Sequence, residues 1–259
     1  MSAAQSATPT GHVMPAPVWR EAVAVIGMLA LPTILTSGTI WVVIVATVGW
    51  QRTHGLPIAL PNRTDIGAMA FGLYAVGTWI SVALAWRWAA ARQLVADVCA
   101  FRRLTWLDGA IVVAGFLAAA YGVPPITRWV GVLIGARGHN YPVNLHHPFM
   151  LALLIFSAYL TAPIGEEILF RGLLVAWLRR LRCPIVATWL LSSIAFASIH
   201  LPIYGLAWSG AMFCFGGMLL AIRLWRGSLT PCWLVHLLFN MRGLVVFPLF
   251  GVVSHAIGG

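Results

Sequence analysis

The stretch TAPIGEEILFRGLL, residues 161–174, decides what kind of protein this is. Apolar residues flank it on both sides, so it reads as part of a helix built for lipid. Yet it carries Glu166, Glu167 and Arg171. An ionised side chain at mid-bilayer costs about 2.5–3.5 kcal/mol on insertion scales. Three together ask for a reason. On a helix, i,i+4 residues lie about 40° apart, so Glu167 and Arg171 share a face. Glu166 lies about 140° from Arg171. The spacing therefore predicts that the arginine neutralises Glu167 and leaves Glu166 to face something else. Packing alone could account for a Glu–Arg pair, and a second, unpaired glutamate weighs against that reading.

The rest of the chain fits a membrane setting. Of its 259 residues, 61% are hydrophobic and 8% are charged, where a soluble domain carries about 25% charged residues. The net charge of +10 comes from arginine alone, since all 16 basic residues are Arg. The lack of Lys suits a GC-rich coding sequence and points to a bacterium. The arginines flank apolar runs, where they set orientation and meet anionic lipid; nucleic-acid binding is a poor reading of them. Cys99, Cys183, Cys214 and Cys232 match no metal spacing. Cys214 and Cys232 read as small core residues, and no disulfide is expected.

A crossing helix needs about 20 apolar residues. Spans are predicted at 22–50 (with a kink at Pro32), 66–86, and 104–123 (ended by Pro124 and Pro125). A fourth covers 147–178 and is broken near Pro163. Residues 184–201 and 206–222 form a helical pair around LPIYG. A last stretch, 228–257, holds one tilted span or two short ones. A short apolar piece within 126–146 lies on the surface. The fold is all-α: one polytopic membrane domain, residues 19–259, with seven or eight transmembrane helices, after a polar, disordered tail at 1–18. Segments 87–103, 179–182 and 223–226 hold nine arginines, whereas the opposite loops hold four (Arg52, Arg63, Arg128, Arg137). The positive-inside rule puts the richer side, and the N-terminus, in the cytoplasm. The membrane is then the bacterial cytoplasmic (inner) membrane.

Two further places carry polar groups inside apolar helices. In FASIH, Phe196 and His200 are i,i+4; in HLLFN, His236 and Asn240 are i,i+4. A lone intramembrane His is more often a packing residue, and such pairs also glue helices together. Three sites on three helices suggest one shared polar cavity, whose chemistry is water activation. A carboxylate can act as base, a His can help hold the water, and a second His and an Asn can donate to an oxyanion. A zinc reading uses Glu166, His200 and His236 as ligands around an open position, but no H-E-x-x-H is present. His139, His146 and His147 read as interfacial. His12, His54 and His255 read as solvent or headgroup contacts.

The three motifs, Glu166-Glu167-x-x-x-Arg171, Phe196-x-x-x-His200 and His236-x-x-x-Asn240, resemble those of the CPBP family of intramembrane proteases. This family is also described as CAAX prenyl protease, bacteriocin-processing or Abi proteins, and it includes lysostaphin-resistance-type proteins. The resemblance covers about residues 155–245. It implies an endopeptidase in which Glu166 activates water with His200 as partner. His236 and Asn240 form the oxyanion hole, with Glu167, Arg171 and Phe196 in support. No cofactor is required by the resemblance, though zinc is compatible. The implied partners are a membrane-associated polypeptide substrate and the lipid bilayer, with no nucleic acid. Two other functions use the same features: a non-catalytic scaffold or immunity protein, and a proton-linked transporter. Transporters often show repeated halves, and no repeat is visible here. One tension concerns depth. Counted from the arginine-rich ends at about 1.5 Å per residue, His200 lies deeper than His236, with Glu166 between them.

Overall fold

A computed structural model describes residues 17–135 and 148–242. The expected tail at 1–18 and the end of the last span at 243–257 lie almost wholly outside the described residues. What is described is helical, with no strand. The helices are α1 (Val18–Thr53), α2 (Arg63–Ala90), the short α3 (Val95–Val98), α4 (Trp106–Leu133), α5 (Pro148–Arg180), α6 (Ile185–Arg226) and α7 (residues 230–242).

Among the described residues, five helices are long and apolar enough to cross a membrane: α1, α2 and α4–α6. The longest, α6, is two arms. Gly205 breaks it with φ 76° and ψ 175°, a conformation open to glycine and strained for any residue with a Cβ. Beyond that point the chain folds back on itself. Trp189 Nε1 donates to the Gly217 carbonyl at 2.8 Å, and Phe196 packs on Phe215 with ring centroids 6.3 Å apart. The count of seven or eight treats these arms as separate spans and adds residues up to 257.

Two expected helix breaks are corrected. α4 runs straight through Pro124 and Pro125 to Leu133, absorbing part of the piece expected on the surface. A proline fixes φ near the helical value and withholds only its own N–H, and in an apolar setting the backbone gains by staying helical. α1, expected as one span, carries Pro32 inside it and runs to Thr53. α5 is not broken at Pro163. It is wound into two π-helical stretches, Ile155–Thr161 and Glu167–Leu174, on either side of a short α segment that holds the proline. Wide turns of this kind occur mostly at functional sites.

The middle of α5 is the centre of the molecule. Residues 165–175 are buried without a break, so charged groups there face protein on all sides. Close backbone approach makes this packing work. The Gly172 α-carbon sits against the Val98 carbonyl of α3, and an added Cβ would collide with that backbone oxygen. We therefore expect Gly172→Ala to destabilise the protein by about 1–3 kcal/mol, the usual range for overpacking. Gly122→Ala on α4, where a Cβ meets nothing within 4 Å, should be neutral or slightly stabilising, because alanine is the better helix former. Thermal unfolding in detergent compares the two.

The arginine-rich segments gather at one end of the bundle. Glu21 pairs with Arg92 at 3.0 Å and with Arg180 at 3.4 Å. Arg226 pairs with Asp108 at 2.7 Å, and Asp108 closes a capping box with Thr105 at the start of α4. Arg223 donates to the Asp97 carbonyl. All four cysteines are free. Cys232 is buried as expected. Cys214 is exposed, a correction: it lies on the outward face of α6, where lipid rather than core accepts a small apolar side chain.

Candidate active site

α5 supplies Glu166, Glu167 and Arg171; the first arm of α6 supplies Phe196 and His200; α7 supplies His236 and Asn240. These elements converge. The pairing on α5 follows the helical angle: Arg171 Nη1 lies 3.2 Å from Glu167 Oε1, and neither side chain has any exposed surface. Arg171 also donates through Nη2 to the Gly216 carbonyl at 3.1 Å. Its guanidinium stacks 4.1 Å from the Phe196 ring centroid, a cation–π contact strengthened by burial. A Cβ at position 216 would meet Phe196 at 2.8 Å, so Gly216 leaves room for that stack.

His236 links the two glutamates. Its Nδ1 is 2.9 Å from Glu167 Oε1, and its Nε2 is 3.8 Å from Glu166 Oε2. An ionised carboxylate offers no hydrogen, so Nδ1 is the donor to Glu167. Glu167 is met at one oxygen, Oε1, by both a cation and an imidazole. Glu166 has a different partner: its Oε1 accepts from the Tyr74 hydroxyl of α2 at 2.6 Å. The Oε2 atom of each glutamate is buried and has no hydrogen-bond partner among the described residues.

Phe196, fully buried, is the hub. Its ring lies 4.9 Å from that of His200 and 5.8 Å from that of His236. His200 donates through Nδ1 to its own helix, at the Phe196 carbonyl, 2.8 Å away. Its Nε2 is therefore the acceptor nitrogen. His200 also lies within electrostatic reach of Glu166 and His236. Asn240 donates one amide hydrogen to the Ala158 carbonyl at 2.9 Å, inside the first π-helical stretch, and this leaves the second amide hydrogen for another acceptor.

The depth offset expected between the two histidines does not keep them apart, since both rings pack on Phe196. The chain is already buried just ahead of α7: Leu229 is fully buried, and its N–H donates to the Ala100 carbonyl at 2.9 Å. No group of three or more His, Cys, Asp or Glu side chains among the described residues is arranged to hold a metal ion. The zinc donor set has both Nδ1 atoms committed, to Glu167 and to Phe196.

Sequence reasoning missed Tyr74. The available signal was a phenol in the middle of an apolar span, where a hydroxyl needs a partner. It also missed Tyr204, whose ring lies 6.1 Å from that of His200.

A helical bundle with apolar outer faces, burying two carboxylates, a guanidinium and one imidazole with a second, half-buried imidazole beside them, defines an integral membrane protein with a polar site inside the bundle. Residues 148–242 match the family model described as Rce1-like, type II CAAX prenyl endopeptidase, in agreement with the resemblance drawn from the three motifs. The matched region includes every motif residue and excludes Tyr74. No curated protein and no solved structure matches the chain.

Proposed function

We propose that the protein is an intramembrane endopeptidase that hydrolyses a peptide bond of a membrane-associated polypeptide, with Glu166 as the base. One observation carries the reading. Glu166 pairs with no arginine among the described residues, unlike Glu167; its Oε1 is held by Tyr74 and its Oε2 has no hydrogen-bond partner among the described residues, beside two imidazoles whose Nδ1 atoms are engaged elsewhere. A water between Glu166 Oε2 and His200 Nε2 donates one hydrogen to each. Glu166 takes its proton, and the hydroxide adds to the substrate carbonyl carbon. The resulting oxyanion is met by donors from His236 and Asn240. As the C–N bond breaks, the proton on Glu166 passes to the leaving nitrogen, giving a carboxylic acid, an amine and the regenerated base; the acid then loses its own proton to the released amine or to water.

His236 carries a hydrogen on Nε2 only as an imidazolium, because Nδ1 already donates to Glu167. In that form the buried charges balance: two carboxylates against one guanidinium and one imidazolium. This supports His236 as an oxyanion donor and Glu167–Arg171 as its frame. The scheme uses no metal, so turnover should persist in excess EDTA; loss of activity in EDTA, restored by zinc, would overturn that part. By the excess of arginine at one end, we place that end and the N-terminus in the cytoplasm of a bacterial cell, with the protein in its cytoplasmic membrane.

The test compares peptide termini in membranes carrying the wild type and Glu166→Ala at matched levels. Termini near the ends of membrane segments, present only with the wild type, are the expected result and name the substrate. Identical termini with a folded variant would favour a scaffold that keeps the fold without the chemistry.

A further inference from the structure

Tyr74 sits on α2, outside the region that matches the protease family, yet it makes the shortest side-chain contact to Glu166. The two residues are 92 positions apart in sequence. At 2.6 Å, the contact falls in the short range of charge-assisted O–H···O⁻ bonds, which are about twice as strong as neutral ones. The bond is directional. The phenol gives its hydrogen to Oε1, so Oε1 is occupied and the carboxylate cannot rotate freely. Oε2, on the side of His236, is left to take a proton.

α2 is registered against α5 at several points, so the hydroxyl arrives at a set position. Ser157 donates to the Phe71 carbonyl at 2.7 Å, and Trp79 Nε1 donates to Thr161 Oγ1 at 3.2 Å. Gly165 lies against Thr78, and a Cβ there would collide with the Thr78 methyl. These contacts bracket Tyr74 along the helix. Two of them fall in the first π-helical stretch of α5, whose wide turn lies just before Glu166.

We infer that Tyr74 is a positioning residue of the hydrolytic site, holding Glu166 Oε1 so that Oε2 alone faces the water. This rests on the reading of Glu166 as the base. Tyr74 keeps its proton throughout and acts through Glu166, not on the substrate. A supporting shell of this kind fixes a catalytic group to within about 0.5 Å, and misplacement by about 1 Å costs about 10²-fold in rate.

The experiment uses the full-length protein in proteoliposomes. The probe is an internally quenched peptide carrying the sequence around a terminus lost in Glu166→Ala membranes. Tyr74→Phe, which removes only the hydroxyl, should lower kcat by about 10–100-fold with KM changed less than about twofold and an unchanged unfolding midpoint. A fluorinated tyrosine at position 74 keeps the shape and the hydroxyl, and should retain most of the activity. Glu166→Gln is run alongside. If Tyr74→Phe turns over like the wild type while Glu166→Gln is inactive, the inference fails and the base assignment stands. If Tyr74→Phe lowers only the unfolding midpoint, with kcat per folded molecule unchanged, Tyr74 is a packing residue and the inference fails. If Glu166→Gln is as active as the wild type, or no terminus depends on Glu166, both fall.

Discussion

Glu166→Gln is expected to leave a folded protein that no longer turns over, with kcat reduced by at least about 10²–10⁴-fold, the range for loss of a general base. Glutamine has the same shape and its carbonyl still accepts from Tyr74, so the packing around position 166 is kept. It cannot take a proton from water. The neighbouring substitution should behave differently. Glu167→Gln leaves the proposed base intact but removes the carboxylate that Arg171 and His236 both contact. A fully buried guanidinium then has no counter-charge, and its loss should appear first in stability. The pair of variants therefore separates chemistry from framework on adjacent residues. Measuring turnover per folded molecule and the unfolding midpoint for each decides the matter. An active, folded Glu166→Gln would end the glutamate-base reading, whatever Glu167→Gln does.

The difference between these two neighbouring glutamates is legible in the sequence. The 100° helical step sets Arg171 beside Glu167 and away from Glu166, and the structure has Arg171 on Glu167. The π-helical winding of α5 is not legible there, since no residue pattern in the run marks a wide turn. The pairing survives it because adjacent turns still bring positions 167 and 171 together. The helical class and the pair of arms around LPIYG are also readable, since long apolar runs in lipid have few folding options. Their ends are not: three prolines that would end a helix in water are carried inside helices here. Depth is hidden for a related reason. Counting residues from an arginine-rich turn assumes that the next helix begins at the interface, whereas a buried segment, Ser228 and Leu229, intervenes before α7.

Tyr74 illustrates the limit of motif reading. The three motifs mark residues by local spacing, and spacing says nothing of a partner 92 positions away. Only the side-by-side packing of α2 and α5 brings the phenol to the carboxylate. Likewise, the motif glycine, Gly172, is explained by a contact across the fold, the Val98 carbonyl.

Arg171→Met should be the most destabilising substitution in the protein, by about 3–5 kcal/mol, the cost of removing one partner from a buried ion pair. Three interactions go at once: the pair with Glu167, the bond to the Gly216 carbonyl, and the stack on Phe196. The first dominates, because losing the guanidinium leaves a fully buried carboxylate with only His236 against it. Methionine retains much of the volume, and its sulfur can rest on the Phe196 ring, so cavity formation is a minor part of the loss. This gives the double variant its force. Glu167→Gln with Arg171→Met removes both charges, and the glutamine oxygen still accepts from His236 Nδ1. Neutral replacements of buried pairs are often tolerated, so the double variant should regain most of the stability lost by Arg171→Met. It should not regain the activity, since the carboxylate and guanidinium that frame His236 are both gone. Recovery of stability without recovery of turnover is the signature of a buried pair that frames the site. If the double variant is as unstable as Arg171→Met alone, the loss comes from the Gly216 and Phe196 contacts instead, and the charge-balance account of the site is wrong.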